Sequence, residues 1–231
     1  AIVGFSEIIK TQAFGAITNE RYVSYGHDIH DAGSHLRSLI EDMIDLALIE
    51  GEKMPLNDEP VDPRGSAEEC LRMVAPMADK KRISLQLEPG RDDILLTADP
   101  VRIRQVLINL LTNAIKYTPE GGAVWVSIEL ADDDGVKLAV RDNGVGLSQD
   151  YHALTVSLYA MRDRRERRTE ESYGLGLPLT AKLVEAHGGT FSLTSSPSRG
   201  TTATAHFPAS RVITPDPNVI HIERQATVAR G

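Results

Sequence analysis

Three short runs in this chain could together hold a nucleotide. The first is Asn109-x-x-x-Asn113, continued by Ala114-Ile115-Lys116-Tyr117-Thr118-Pro119. If the segment is helical, spacings of four and three set Asn109, Asn113 and Lys116 on one face. An amide oxygen suits Mg²⁺, which takes hard oxygen ligands and completes its shell with water and phosphate. The ammonium of Lys116 can neutralise phosphate charge. The second run is Asp142-Asn143-Gly144-Val145-Gly146, directly after the alternating segment Val136-Lys137-Leu138-Ala139-Val140. A carboxylate at a strand end, followed by glycines that admit close backbone approach, can hold the edge of a planar base. A carboxylate accepting from an exocyclic amine selects adenine over guanine, and losing such a charged hydrogen bond costs about 1.5–3 kcal/mol. The third run, Gly174-Leu175-Gly176-Leu177, precedes an apolar helical pattern, where free backbone N–H groups can meet phosphates. Each run is weak alone, and the three in this order are a strong signal.

These residues need elements to position them. Residues 1–52 read as two helices. Ile2, Phe5 and Ile9 share a face, Phe14–Asn19 makes a turn, and Asn19 is an N-cap for the second helix. Tyr22, Ile29, Leu36 and Met43 recur at a heptad interval, with Tyr25, Ala32, Leu39 and Leu46 completing an a/d seam. A short hairpin cannot bury that seam alone. Pairing with a second copy, as a four-helix bundle, would. Gly51 closes the helix, and Pro55, Pro60 and Pro63 mark a linker.

Residues 64–82 then read as a helix through Ala67, Leu71, Val74 and Ala78, with Pro76 a break or kink. Ile83–Leu87 alternates like a strand. Asp99-Pro100 starts a helix that carries Val106, Leu107, Leu110, Leu111 and Ala114 inward. Val124–Leu130 is a strand, turned by Asp133-Asp134-Gly135 into the next. A helix over 177–187 ends at Gly188-Gly189, and strands follow over 190–195 and 201–207. The expected class is α+β: a helical hairpin (1–53), a linker (54–62) and an α/β sandwich (63–208) with helices on one sheet face. Residues 209–231 read as a largely disordered tail.

Composition narrows the function. A formal charge of −8 argues against a general nucleic-acid binder. The single cysteine, Cys70, cannot form an internal disulfide and sits in an apolar pattern, which favours the reducing cytoplasm. There is no run of ~18 apolar residues, so no membrane contact is expected from these residues. A start without Met, inside an apolar pattern, reads as a fragment, with any anchor lying upstream.

With its three motifs in this order, the chain resembles the catalytic core of a bacterial two-component sensor histidine kinase. Its nucleotide part is similar to the Bergerat fold shared with type II topoisomerases, mismatch-repair proteins and heat-shock chaperones. The likeness covers roughly residues 1–208. It implies Asn113 as a Mg²⁺ ligand and Asn109 as its aid at the metal or phosphates. Lys116 would meet phosphate and Tyr117 would lie against the nucleotide. Asp142 would accept from the adenine amine, and Gly144 and Gly146 would let the loop close over the base. Gly174, Leu175 and Gly176 would form the hinge of a lid over the triphosphate, and Thr202, after Gly200, would bond near adenine. The implied cofactors are ATP and Mg²⁺. The implied partners are a second copy through residues 1–53 and a response-regulator receiver domain. ATP-hydrolysing relatives carry a glutamate where this chain has Asn109. An amide cannot take a proton from water, so transfer to a protein acceptor is favoured over hydrolysis.

The chain also departs from the family pattern. Ala1-Ile2-Val3-Gly4-Phe5-Ser6-Glu7 matches the stretch after the acceptor histidine, placing that residue upstream of Ala1. His27, His30 and His35 lie off the seam and read as surface or flanking residues. The lid lacks the usual Phe-x-Pro-Phe run, having Ser157-Leu158-Tyr159-Ala160-Met161, then an arginine-rich stretch over 162–168. Ser172-Tyr173 stands where the family has another glycine. Two rival readings remain open: a dimeric scaffold that docks a regulator without phosphorylating, and a Bergerat-type ATPase.

Overall fold

The computed structural model describes residues 1–51, 54–91, 94–147 and 175–213. Two helices open the chain: α1 (Ile2–Lys10) and α2 (Glu20–Glu50). The Asn19 side chain accepts from the Arg21 N–H at 3.1 Å, so the expected N-cap forms. The two helices pack through small residues. Gly26 lies against Ile9, and Gly33 against Val3 and Ile2. His30 sits between the helices, its Nδ1 3.2 Å from Glu7 Oε2, so it lines the hairpin rather than the outer surface. The heptad positions point elsewhere: Tyr22, Tyr25, Ile29, Leu36 and Met43 are all exposed. So are Ile2 and Phe5 of α1.

The rest forms two layers. A five-stranded sheet has the order β2-β4-β5-β7-β6, built from β2 (Ser84–Leu87), β4 (Ala123–Leu130), β5 (Val136–Asp142), β6 (Thr190–Ser196) and β7 (Gly200–Phe207). Only β2 and β4 are parallel; the other neighbours are antiparallel. Three helices cover one face: α3 (Pro63–Lys80), α4 (Pro100–Tyr117) and α5 (Gly176–Ala186). Alternation decides the core. Val136, Leu138 and Val140 of β5 and Ala203, Ala205 and Phe207 of β7 face the helices and are buried. They meet Ile103, Leu107, Leu111 and Ile115 of α4 and Leu179 and Leu183 of α5, each fully buried. Asp99 caps α4, its Oδ1 accepting from the N–H groups of Val101 and Arg102, with Pro100 in the first turn.

Some of these expectations need correction. Residues 59–61, read as linker, form strand β1 (Glu59–Val61), paired antiparallel with β3 (Leu95–Ala98). The supposed tail begins with structure: a short 3₁₀ turn, Ala209–Arg211, leads into β8 (Val212–Ile213), which pairs with the other side of β3. This small second sheet, β1-β3-β8, escapes a pattern search because its strands are two to four residues long. Helix α3 starts at Pro63, capped by Asp62, and runs unbroken through Pro76. Pro76 and Arg72, four residues before it, are both exposed, so water can satisfy the carbonyl that Pro76 leaves unbonded. Among the described residues no helix is long and apolar enough to cross a membrane.

Candidate functional site

The three motifs converge at one end of the sandwich, where the C-terminal half of α4, the end of β5 and the start of α5 meet. Helix α4 turns its apolar stripe into the core and leaves Asn109 and Asn113 half-buried on the other side. Gly176, the first residue of α5, lies against this amide face. A methyl group there would meet Asn109 Cγ at 3.6 Å and Asn113 Nδ2 at 3.8 Å. Asn109 Nδ2 also donates to Gly176 O at 3.5 Å. The N-terminus of α5, the positive end of its helix dipole, thus faces the two asparagines. Lys116 and Tyr117 are exposed at the end of α4, the ammonium 5.4 Å from the Tyr117 ring centroid.

A second contact joins α4 to the loop after β5. The Tyr117 carbonyl accepts from Val145 N at 3.3 Å, and Gly144 packs so close to that carbonyl that a side chain there would collide with it. Gly146 has φ +67° and presses on the Ser196 backbone, so only glycine fits without strain. The loop is tied to β6 by Leu147 N donating to Ser195 Oγ and Ser198 N donating to Val145 O, both at 2.8 Å.

Asp142 anchors this corner. It is 8% exposed, and its Oδ1 accepts from Gly144 N at 2.8 Å and Thr201 N at 3.2 Å. Both bonds fall on one oxygen, so Oδ2 can take a further donor. Burial pushes the carboxyl above its usual range, and the two N–H donors only partly offset this.

One expected residue is displaced by a single position. Thr202 pairs with Arg141 and Thr194 and, by strand alternation, lies on the sheet face away from Asp142. Thr201 is the residue beside Asp142; its hydroxyl is 2.8 Å from Ser195 Oγ. Parity could have found it, because Thr201 shares its register with the apolar residues Ala203, Ala205 and Phe207. Lys81 was also missed. Its Nζ donates to the carbonyls of Ile115, Lys116 and Thr118 at 3.0, 2.7 and 3.3 Å, capping the C-terminal end of α4 that carries the site. Asn143 is another: its Oδ1 accepts from Ala123 N at 2.8 Å and fixes β4 to the loop. Gly174 and the expected lid over 157–173 lie outside the described residues, while Leu175 directly precedes α5 as its N-cap.

Comparison with known proteins places this region in a known family. Residues 98–211 match the family described as histidine kinase-, DNA gyrase B-, and HSP90-like ATPase. The chain is 37% identical over 212 residues to the non-motile and phage-resistance protein of Caulobacter vibrioides, covering 90% of this chain and 25% of that one. It is 34% identical over 223 residues to the cell-division control histidine kinase PdhS of Brucella abortus, covering 92% and 21%. The chain therefore spans about a quarter or less of the length of these curated relatives. Among solved structures, full-length ShkA in complex with AMPPNP superposes with a TM-score of 0.71 at 25% identity, over 90% of this chain and 42% of that one.

Proposed function

Since this chain carries a catalytic ATP-binding domain of the sensor histidine kinase type, within the histidine kinase-, DNA gyrase B-, and HSP90-like ATPase family, we propose that it binds Mg²⁺–ATP between α4, α5 and the loop after β5. In this reading the chain sends the γ-phosphoryl group to a histidine upstream of Ala1. An aspartate on a response-regulator receiver domain then receives it. Residues 1–53 serve as the dimerisation hairpin, and the part of the chain that begins with β1 serves as the catalytic unit, acting in the cytoplasm where ATP is supplied.

The observation that carries this reading is the convergence at Gly176. The first residue of α5 and the amides of Asn109 and Asn113 stand together, and Asp142 lies at the end of β5, whose following loop bonds the Tyr117 carbonyl at the end of α4. Asp142 accepts the adenine amine through Oδ2, while its Oδ1 is held by Gly144 and Thr201. The phosphates lie toward Gly176, Asn109, Asn113 and Lys116. Asn113, aided by Asn109, offers the hard oxygen ligands that Mg²⁺ prefers, and the cation when bound offsets charge on the transferring phosphoryl. Among the described residues no group of three or more His, Cys, Asp or Glu side chains gathers to hold a metal. Asn109 cannot deprotonate water, so the site orients and stabilises the γ-phosphoryl for in-line attack by a better nucleophile.

The test is phosphoryl transfer in the full-length protein with γ-labelled ATP. Acid-labile label on the protein is expected, falling about 10²-fold or more in Asn113→Ala, the size seen when one preorganised group is removed from a transition state. Steady release of inorganic phosphate with no protein label would replace the transferase reading with an ATPase.

A further inference from the structure

The stripe of α4 that carries Asn109, Asn113 and Lys116 continues toward the helix N-terminus as Gln105 and Arg102, at spacings of four and three. The two halves of this stripe face different things. Its C-terminal half faces the candidate phosphate site. Its N-terminal half meets the hairpin: Arg102 Nη1 lies 2.8 Å from Asp45 Oδ2 of α2, and Gln105 Nε2 donates to the same oxygen at 3.0 Å. Arg102 Nη1 also donates to Gln105 Oε1 at 2.8 Å, closing a triangle. The pair is shielded, with side-chain exposures of 23% for Arg102 and 16% for Asp45. Beside it α2 packs against α5, and Leu46 of α2 is buried with the catalytic core. The contact is otherwise incomplete. A cleft stays open between α2 and α4, reaching from Ser38, Asp42 and Ile44 past Arg104 and Ile108 to Asn109.

A hairpin joined through one shielded ion pair to the helix that holds the phosphate ligands can set the distance between them. We propose that Asp45, through Arg102 and Gln105, is a positioning residue that seats the catalytic unit on the hairpin and fixes the approach of the γ-phosphoryl group to its acceptor. This rests on the transfer reading above. The latch touches neither the adenine corner nor the amides. Its loss therefore loosens the seat and slows transfer while nucleotide affinity is kept.

The test places spin labels at His35→Cys on α2 and Asp79→Cys at the end of α3, both exposed positions. Cys70 stays unlabelled, because it is buried and burial pushes its thiol up to about 11. The parent, doubly labelled and mixed with excess unlabelled chain so that most dimers carry one labelled protomer, is expected to give one narrow distance distribution. Asp45→Arg broadens or shifts it, Asp45→Asn does so less because Gln105 can still donate, and Asp45→Arg with Arg102→Asp restores it. In the full-length protein, Asp45→Arg slows phosphoryl transfer ~10-fold or more, as small misplacements do, with the ATP dissociation constant unchanged, and the charge swap recovers the rate. A parental distance distribution in Asp45→Arg, or a swap that fails to recover both distance and rate, overturns the proposal. Absence of ATP binding in the parent would instead fail the nucleotide reading, while the distances still decide the latch.

Discussion

At the scale of single residues, Asp142 shows how a residue proposed to bind adenine can weigh on a fold. Burial holds its carboxyl above the usual range, so the folded chain keeps the proton more tightly than the unfolded chain does. The stability this group lends when protonated is present below the unfolded pKa and is lost as pH rises through the folded value. At neutral pH its ionised form therefore costs stability. Asp142→Asn keeps an oxygen for the N–H groups of Gly144 and Thr201 but turns an amide toward the adenine amine, donor against donor. The expected outcome, read by thermal melts and calorimetry at pH 7, is a variant that melts a few degrees higher and no longer binds ATP. A variant that melts lower and still binds would contradict it. The motif residues were legible because glycines, amides and a carboxylate in this order have few other uses. Thr201 was harder to separate from Thr202, since the choice rests on its parity with Ala203, Ala205 and Phe207, which the pairing of β7 with β5 makes plain.

At the scale of elements, His187 holds the start of α4 to the end of α5. Nδ1 lies 2.7 Å from Leu183 O and Nε2 accepts the Asp99 N–H at 3.1 Å, an arrangement that requires the neutral ring with its proton on Nδ1. Its ring also meets Phe207 edge to face. Burial holds His187 below its ordinary range, more than the Leu183 bond raises it. The unfolded chain takes up a proton near ~6.5 while the folded chain resists. This stability is therefore whole above that pH and lost progressively as pH falls below it toward the folded value. Urea unfolding at pH 8 and pH 5.5 should show the parent losing stability on acidification. His187→Phe should lose less over the same interval, yet be weaker at pH 8 by roughly 1–3 kcal/mol, because the Asp99 N–H is left unpaired. Equal losses in both proteins would rule out this role. Asp99 itself responds oppositely to its surroundings. Burial would raise it, but the N–H groups of Asn57, Arg102 and Val101, with the Arg102 charge, hold it below the usual range. The long elements were readable from periodicity and caps. The strands of the small sheet were not, because segments this short carry no period and exist only through pairing with β3.

At the scale of the whole molecule, much of the heptad seam stays exposed among the described residues, although its last position, Leu46, is buried with the catalytic core. Tyr22, Ile29, Leu36 and Met43 are between 46% and 62% exposed, too much apolar surface along one stripe for an isolated helix. The hairpin instead closes through Gly26, His30 and Gly33 on another side of α2, which leaves the seam for a second copy. Sedimentation should therefore find a dimer. Leu36→Glu with Met43→Glu should be monomeric with its helix content retained, and a monomeric parent would refute the seam's assignment. The heptad repeat is visible in the sequence, whereas the seating of the catalytic unit on α2 through Asp45, Arg102 and Gln105 depends on residues 57 and 60 positions apart.

The central claim is that the Asn109–Asn113 face, Gly176 and Asp142 form one adenine-nucleotide site. Calorimetry of this chain with Mg²⁺–ATP and Mg²⁺–GTP tests it most directly, with Asp142→Ala as the control. The account predicts saturable ATP binding, markedly weaker GTP binding, and loss of the ATP signal in Asp142→Ala. ATP binding that survives unchanged in Asp142→Ala, or no binding in the parent, would contradict it.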